Sequence, residues 1–306
     1  MIKYVAISTA AKAFSANDTT RAAYRKLGNV VLEKMRVSGG ITQPYLDRAV
    51  RLVDYCDRLE LLSPGDEVLE LGTGWVHWEA TVLRLFFDVE VTLYDVWDNR
   101  LLGAYTSWLS QLHDRIDDAF AHLAEDRRAR AKEIARRAME VKTFDELYQT
   151  LDFTYVVDPS GELKDVPRGH YALAVSADVL EHVQGEQLPS YLEGMRECLV
   201  PGGASVHQID LVDHFYYFDT KTSPKNYYRY SDKTWRRFFE SDVQYFNRIQ
   251  RPTWIRLFEN AGFQLDVADD VSERLEPLKL SPAYRDLDAE DLDCMQLLTV
   301  HHNPRS

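Results

Sequence analysis

The sequence predicts an α/β fold on a parallel-dominated sheet. Short apolar runs that end in Asp or Gly alternate with stretches whose apolar residues recur every three to four positions. A Gly-Thr-Gly turn directly follows the first of those runs, the place where open α/β sheets bind ligands.

The elements follow in order. Leu46, Ala49, Val50, Val53, Cys56 and Leu59 give helical spacing over 45–62, and Ser63-Pro64-Gly65-Asp66 stops it. The run 67–71 is a buried strand feeding Gly72-Thr73-Gly74, then a helix over 78–87. A second strand, 90–94, closes at Asp95, and a third, 153–157, ends at Asp158-Pro159. The fourth, 171–176, runs into Asp178, with a helix over 188–199 and a turn at Pro201-Gly202-Gly203. The fifth, 204–209, ends at Asp210. A helix at 254–261, strands at 264–267 and 295–301 complete the plan.

Two stretches lie outside it. Residues 1–44 form an N-terminal extension, helical over 20–35, before a domain over 45–306. Residues 99–150 are charged and Ala-rich, with Leu112, Ile116, Phe120 and Leu123 at helical spacing. They read as a helical insertion, either a solvated structural layer or a lid over the substrate.

Composition bounds the function. The net charge of −13 repels phosphate backbones and anionic lipid heads, so nucleic acid and membrane are not expected partners. Cys56, Cys198 and Cys294 are widely spaced and form no CxxC pair, which suits a reducing compartment and a cytoplasmic location. The apolar stretch 4–14 is broken by Ser8, Thr9 and Lys12 and is too short to span a bilayer. It belongs to the fold.

The glycines of Gly72-Thr73-Gly74 let the backbone turn sharply and approach a ligand. A dinucleotide fingerprint wants a third Gly where His77 stands, which weakens a nicotinamide site. Asp95, 25 residues after Glu70, can accept two ribose hydroxyls, or serve as a helix N-cap. Asp158 can accept an adenine amino group, or close a turn.

Val68-Leu69-Glu70-Leu71-Gly72-Thr73-Gly74, Asp95, Ser176-Ala177-Asp178-Val179-Leu180-Glu181-His182-Val183 and Leu199-Val200-Pro201-Gly202-Gly203 resemble the ordered motifs of class I S-adenosylmethionine-dependent methyltransferases, type 11-like. The resemblance covers 46–300 apart from the insertions. It implies a Rossmann-like seven-stranded sheet with the last strand antiparallel. It also implies S-adenosylmethionine held by Glu70, Gly72, Thr73, Gly74, Asp95, Asp158, Ala177 and Asp178.

Asp178, Glu181 and His182 bring two carboxylates and an imidazole to one turn, a set that suits Mg²⁺ with water completing its shell. The cluster is similar to the Glu-x-x-Glu-His of ubiquinone-biosynthesis O-methyltransferases, with Asp178 in place of the first Glu. The alternative is a helix cap without metal.

The segment from His207 to Phe215 runs off the carboxyl end of the fifth strand. Asp210, Asp213 and His214 share a face if the chain turns helically there, and His214 is the expected general base. Asp210 or Asp213 orients it or joins a metal shell; His207, inside the strand, reads as structural.

Ten aromatic residues fall between Phe215 and Phe239, within a segment 211–250 that is either core packing or a substrate wall. That segment looks like methyltransferases encoded among glycan and natural-product biosynthesis genes. The expectation is an O-methyltransferase acting on a hydroxyl of a sugar or other small molecule, with a homodimer as a candidate assembly. The rivals are an N-methyltransferase on a peptide or small amine, a nicotinamide-linked oxidoreductase or epimerase, and a protein that binds the cofactor without turning it over.

Overall fold

A computed structural model describes residues 2–15, 17, 19–21 and 39–305. The helix expected over 20–35 lies almost wholly outside the described residues. Seven strands form one sheet: β1 (Asp66–Leu71), β2 (Val89–Asp95), β3 (Phe153–Val157), β4 (Tyr171–Ala177), β5 (Leu199–Asp210), β6 (Gln264–Ser272) and β7 (Cys294–His302). Their order is β3-β2-β1-β4-β5-β7-β6, and β1 pairs in parallel with both β2 and β4. β7 is antiparallel: Gly202 donates to Asn303 O, whereas Leu211, further along β5, donates to Met295 O. The expected seven-stranded sheet is therefore present.

The chain divides into two compact units. One comprises Asn29–Ser176, Glu193–Val206 and His301–Ser306. Its strand β1 is buried continuously over its last four residues, as a central parallel strand covered on both faces must be. α1 (Ile2–Phe14) belongs to the other unit. α2 (Gln43–Arg58) carries Pro44 in its first turn, where the missing N–H costs nothing, and buries Leu46, Ala49, Leu52, Val53 and Cys56. α3 (Trp78–Phe86) follows the β1 loop.

The 102–151 chain makes α4 (Leu102–Ala119), α5 (Glu125–Met139) and α6 (Phe144–Leu151). They pack as a layer. Trp108 meets the edges of Tyr45 and Trp75 at 4.8 and 4.6 Å, and Arg127 bonds Asp57 of α2 and Phe86 O of α3.

The other unit comprises Met1–Gly28, Ala177–Leu192 and His207–Val300. Here α7 (Leu188–Cys198) begins, and α8 (Asp232–Phe238), α9 (Arg251–Asn260) and α10 (Ala289–Asp293) follow. Its core is the aromatic segment: Phe215, Tyr227, Tyr228, Trp235, Phe239 and Phe246 are buried with Tyr4 and Ala11 of α1. Tyr217, Phe218 and Phe238 stay exposed.

The structure corrects one expected element. Pro201-Gly202-Gly203 is not a turn but the start of β5. Gly202 takes a φ of +85°, and Gly202 and Gly203 share two backbone bonds with Asn303. A Cβ on Gly203 would meet Tyr171 O and Ala172 O at 3.1 Å, so glycine permits close strand pairing there. No described helix is long and apolar enough to cross a membrane.

Candidate active site

Two groups of polar side chains lie at carboxyl ends of strands, one in each unit. The first follows β1, β2 and β3. Gly72 and Gly74 have φ of +65° and +62°. A Cβ at Gly74 would meet nothing nearer than Gly72 O at 3.9 Å, so backbone conformation, not crowding, selects glycine and the loop face stays open. Asp95 holds this loop: its Oδ2 accepts from Gly74 N at 2.9 Å and Oδ1 from Trp97 N at 3.2 Å. Burial raises its pKa, and these N–H groups oppose that. A carboxylate offers about four lone-pair sites, so capacity remains here for a ligand hydroxyl.

Glu70 is buried at 2 % exposure and works inside the loop. It accepts from the Thr73 hydroxyl at 2.7 Å and from Glu79 N at 3.2 Å. Burial, then the Glu79 carboxylate, holds its pKa well above the usual range. Asp158 serves its own turn: Ser160 N and Oγ donate to Oδ1, and Tyr94 OH to Oδ2. The Ser160 hydroxyl is the main reason its pKa is lowered.

Sequence reasoning treated His77 only as a missing glycine. It is fully buried, takes a φ of +46° and joins the loop to the helical layer. Its Nδ1 is 2.7 Å from Thr73 Oγ1 and its Nε2 3.1 Å from Tyr148 OH of α6. Arg100 lies 4.3 Å from the Tyr155 ring centroid and 5.9 Å from that of Tyr148. A helical pattern gives no sign of which insertion residue turns back to the loop.

The second group follows β4 and β5. Ala177 ends β4, and Asp178 takes a φ of +57°, uncommon outside glycine but tolerated by Asp. Asp178 N donates to Gln208 O at 3.0 Å, and Asp178 Oδ1 accepts from Gln208 Nε2 at 3.1 Å. Gln208 carried no signal in the sequence.

Asp210 receives Val212 N at 2.9 Å on Oδ1 and the Tyr217 hydroxyl at 2.7 Å on Oδ2. His214 Nε2 lies 3.4 Å from that same Oδ2, and its ring stacks on Phe246 at 4.5 Å. Asp213 points elsewhere. It is fully buried, accepts from Tyr4 OH at 2.7 Å and Phe215 N at 3.0 Å, and burial raises its pKa to about 7. It anchors α1.

Glu181 is 2 % exposed, and burial, then the carboxylates of Asp178 and Asp210, raise its pKa well above the usual range. His182 Nδ1 is 2.7 Å from Tyr245 O, and its ring centroid is 4.9 Å from that of His214. Desolvation, then His214 beside it, lowers its pKa. Glu181, His182 and His214 each offer a ligand atom within 4.8 Å of the others; Asp178 is not of that group. His207 is buried with its ring 5.4 Å from Phe258.

A family model described as a methyltransferase domain matches residues 46–267. A SAM-dependent methyltransferase of Methanosarcina mazei is similar in fold, with a TM-score of 0.50 and 12 % identity over 82 % of this chain and 99 % of that one. A TehB-like SAM-dependent methyltransferase of Corynebacterium glutamicum gives 0.46 and 13 %, covering 92 % and 99 %. Phosphoethanolamine N-methyltransferase 2 of Haemonchus contortus gives 0.47 and 13 %, covering 83 % and 52 %. No curated protein sequence matches the chain. The open face over Gly74 and the spare lone pairs of buried Asp95 fit a ribose-bearing cofactor.

Proposed function

Because the chain belongs to the class I S-adenosylmethionine-dependent methyltransferases, we propose that it transfers the methyl group of that donor to a hydroxyl of a small-molecule acceptor, a sugar or a comparable biosynthetic intermediate. The Asp210–His214 pair carries this reading. S-adenosylmethionine supplies a methyl on a sulfonium whose thioether leaves neutral. No acid is therefore needed, and alignment does most of the work. An alcohol acceptor must also lose a proton, whereas a neutral amine attacks without prior deprotonation. A base fixed by a carboxylate is what the alcohol requires.

Asp210 supplies the carboxylate, 3.4 Å from the ring without a formed hydrogen bond. Its carboxylate, itself held by Val212 N and Tyr217, faces His214 Nε2 and favours the tautomer protonated there. The Nδ1 lone pair is left to take the acceptor proton. Stacking on Phe246 fixes the ring plane. Gly72, Thr73, Gly74 and Asp95, with Glu70 bracing their loop, are the donor-binding residues in this reading, and Asp158, Ala177 and Asp178 are assigned to the same task. Of the residues expected to hold a divalent ion, Glu181 and His182 bring donor atoms together with His214, while Asp178 Oδ1 accepts from Gln208.

The test is methyl-labelled S-adenosylmethionine offered with panels of hydroxylated and amine acceptors. Label in an ether product supports the reading; label confined to amines overturns it. With an acceptor found, His214→Ala lowers kcat by about 10²–10⁴ and leaves donor affinity within twofold. An unchanged kcat removes His214 from the reaction.

A further inference from the structure

Glu181 poses a physical problem. It is 2 % exposed, yet neither carboxylate oxygen has a hydrogen-bonded side chain among the described residues. A buried acid left this way needs a proton or a cation to offset its lost hydration. Two imidazoles stand beside it, with ligand atoms of all three groups within 4.8 Å of one another.

One nitrogen of the His182 ring is already assigned. Tyr245 O only accepts, so His182 Nδ1 carries the proton and Nε2 the lone pair. His214 Nε2 faces the Asp210 carboxylate. The Tyr245 carbonyl behind His182 is the kind of outer support that metal-binding histidines use to fix tautomer and orientation. Asn247 steadies the turn from below, its Nδ2 donating to Leu180 O and Val183 O and its N–H to Glu181 O.

We propose that Glu181, His182 and His214 form a site for one divalent transition-metal ion of the Zn²⁺ type. Two imidazole nitrogens and one carboxylate suit a borderline ion; Mg²⁺ prefers all-oxygen shells and keeps its water. A tetrahedral Zn²⁺ with bonds of about 2.0–2.1 Å sets ligand atoms about 3.3–3.4 Å apart. The present spacing, within 4.8 Å, must contract on binding. Three protein ligands leave a position for water or an acceptor oxygen.

The consequence deepens the reading above and rests on it only for chemistry, not for binding. An ion at this site takes a lone pair of His214, which then serves as a ligand in place of the base role given above. It then activates the hydroxyl by lowering its pKa, and the proton leaves to solvent water.

The experiment strips the full-length protein with chelator, adds Zn²⁺ or Co²⁺, removes unbound ion and measures metal per chain by elemental analysis, with the visible spectrum of the Co²⁺ form. One ion per chain with a tetrahedral Co²⁺ spectrum is expected. Glu181→Gln and His182→Ala each weaken Zn²⁺ at least tenfold, and Asp178→Asn changes it less than fivefold. His182 is exposed, so its variant keeps the core intact. Circular dichroism checks the fold of each variant. Titration of the same stripped protein with S-adenosylmethionine separates failure of the ion site from failure of the methyltransferase reading. Uptake no greater than in Glu181→Gln, or displacement of Zn²⁺ by equimolar Mg²⁺, overturns the proposal.

Discussion

His77 is buried without exposure at the head of α3, and desolvation holds its imidazole down to about 3. In the fold it stays neutral, while the unfolded chain takes up a proton near 6.5. The stability this contributes is therefore complete above about pH 6.5 and is lost as pH falls toward 3. His77→Asn keeps a side chain that tolerates the left-handed backbone and removes the titration. Urea unfolding from pH 7 to 4 should show the parent losing up to about 1.4 kcal/mol more per pH unit than the variant. Parallel curves would mean His77 is protonated in the fold. The same residue shows what sequence could not convey. As a position it was a lost glycine; only the fold sets its ring between Thr73 and Tyr148, 71 residues away.

At the scale of elements, α1 is held on its unit by Tyr4. Its hydroxyl donates to buried Asp213, and its ring meets Phe215 and Phe239 edge-on at 5.2 and 5.6 Å. Tyr4→Phe keeps the ring and leaves Asp213 short of one donor. The expected cost is about 1–3 kcal/mol in urea unfolding, larger at pH 8 than at pH 5.5. The sign follows from Asp213: its pKa near 7 leaves it mostly protonated at pH 5.5 and charged at pH 8, where the lost donor matters more. A pH-independent loss would place the effect in packing alone. The strands were legible because apolar runs bounded by Gly or Asp have few other uses. β5 was misread at its start because Pro-Gly-Gly codes for a turn locally, while pairing with Asn303 is a contact across 101 residues. The aromatic segment was ambiguous for a related reason. Burial sorts Phe215, Tyr227, Tyr228 and Trp235 into the core and leaves Tyr217 and Phe218 outside, and ring content alone does not distinguish them.

At the scale of the whole molecule, a sheet in the order β3-β2-β1-β4-β5-β7-β6 presents acidic residues at successive strand ends: Asp95, Asp158, Asp178 and Asp210. Each could be predicted from sequence as a strand terminator. Their separate duties could not, since these depend on Gly74, Ser160, Gln208 and Tyr217 arriving from other segments or turns. Asp95 bonds the open glycine loop through its side chain, which makes it the residue on which donor binding turns. The most direct measurement is calorimetric titration of S-adenosylmethionine into the parent and into Asp95→Ala, with circular dichroism on both. The account predicts one donor per chain for the parent and affinity at least tenfold weaker for the variant, about 1.4 kcal/mol or more. No binding by folded parent protein, or equal binding by both, would contradict it.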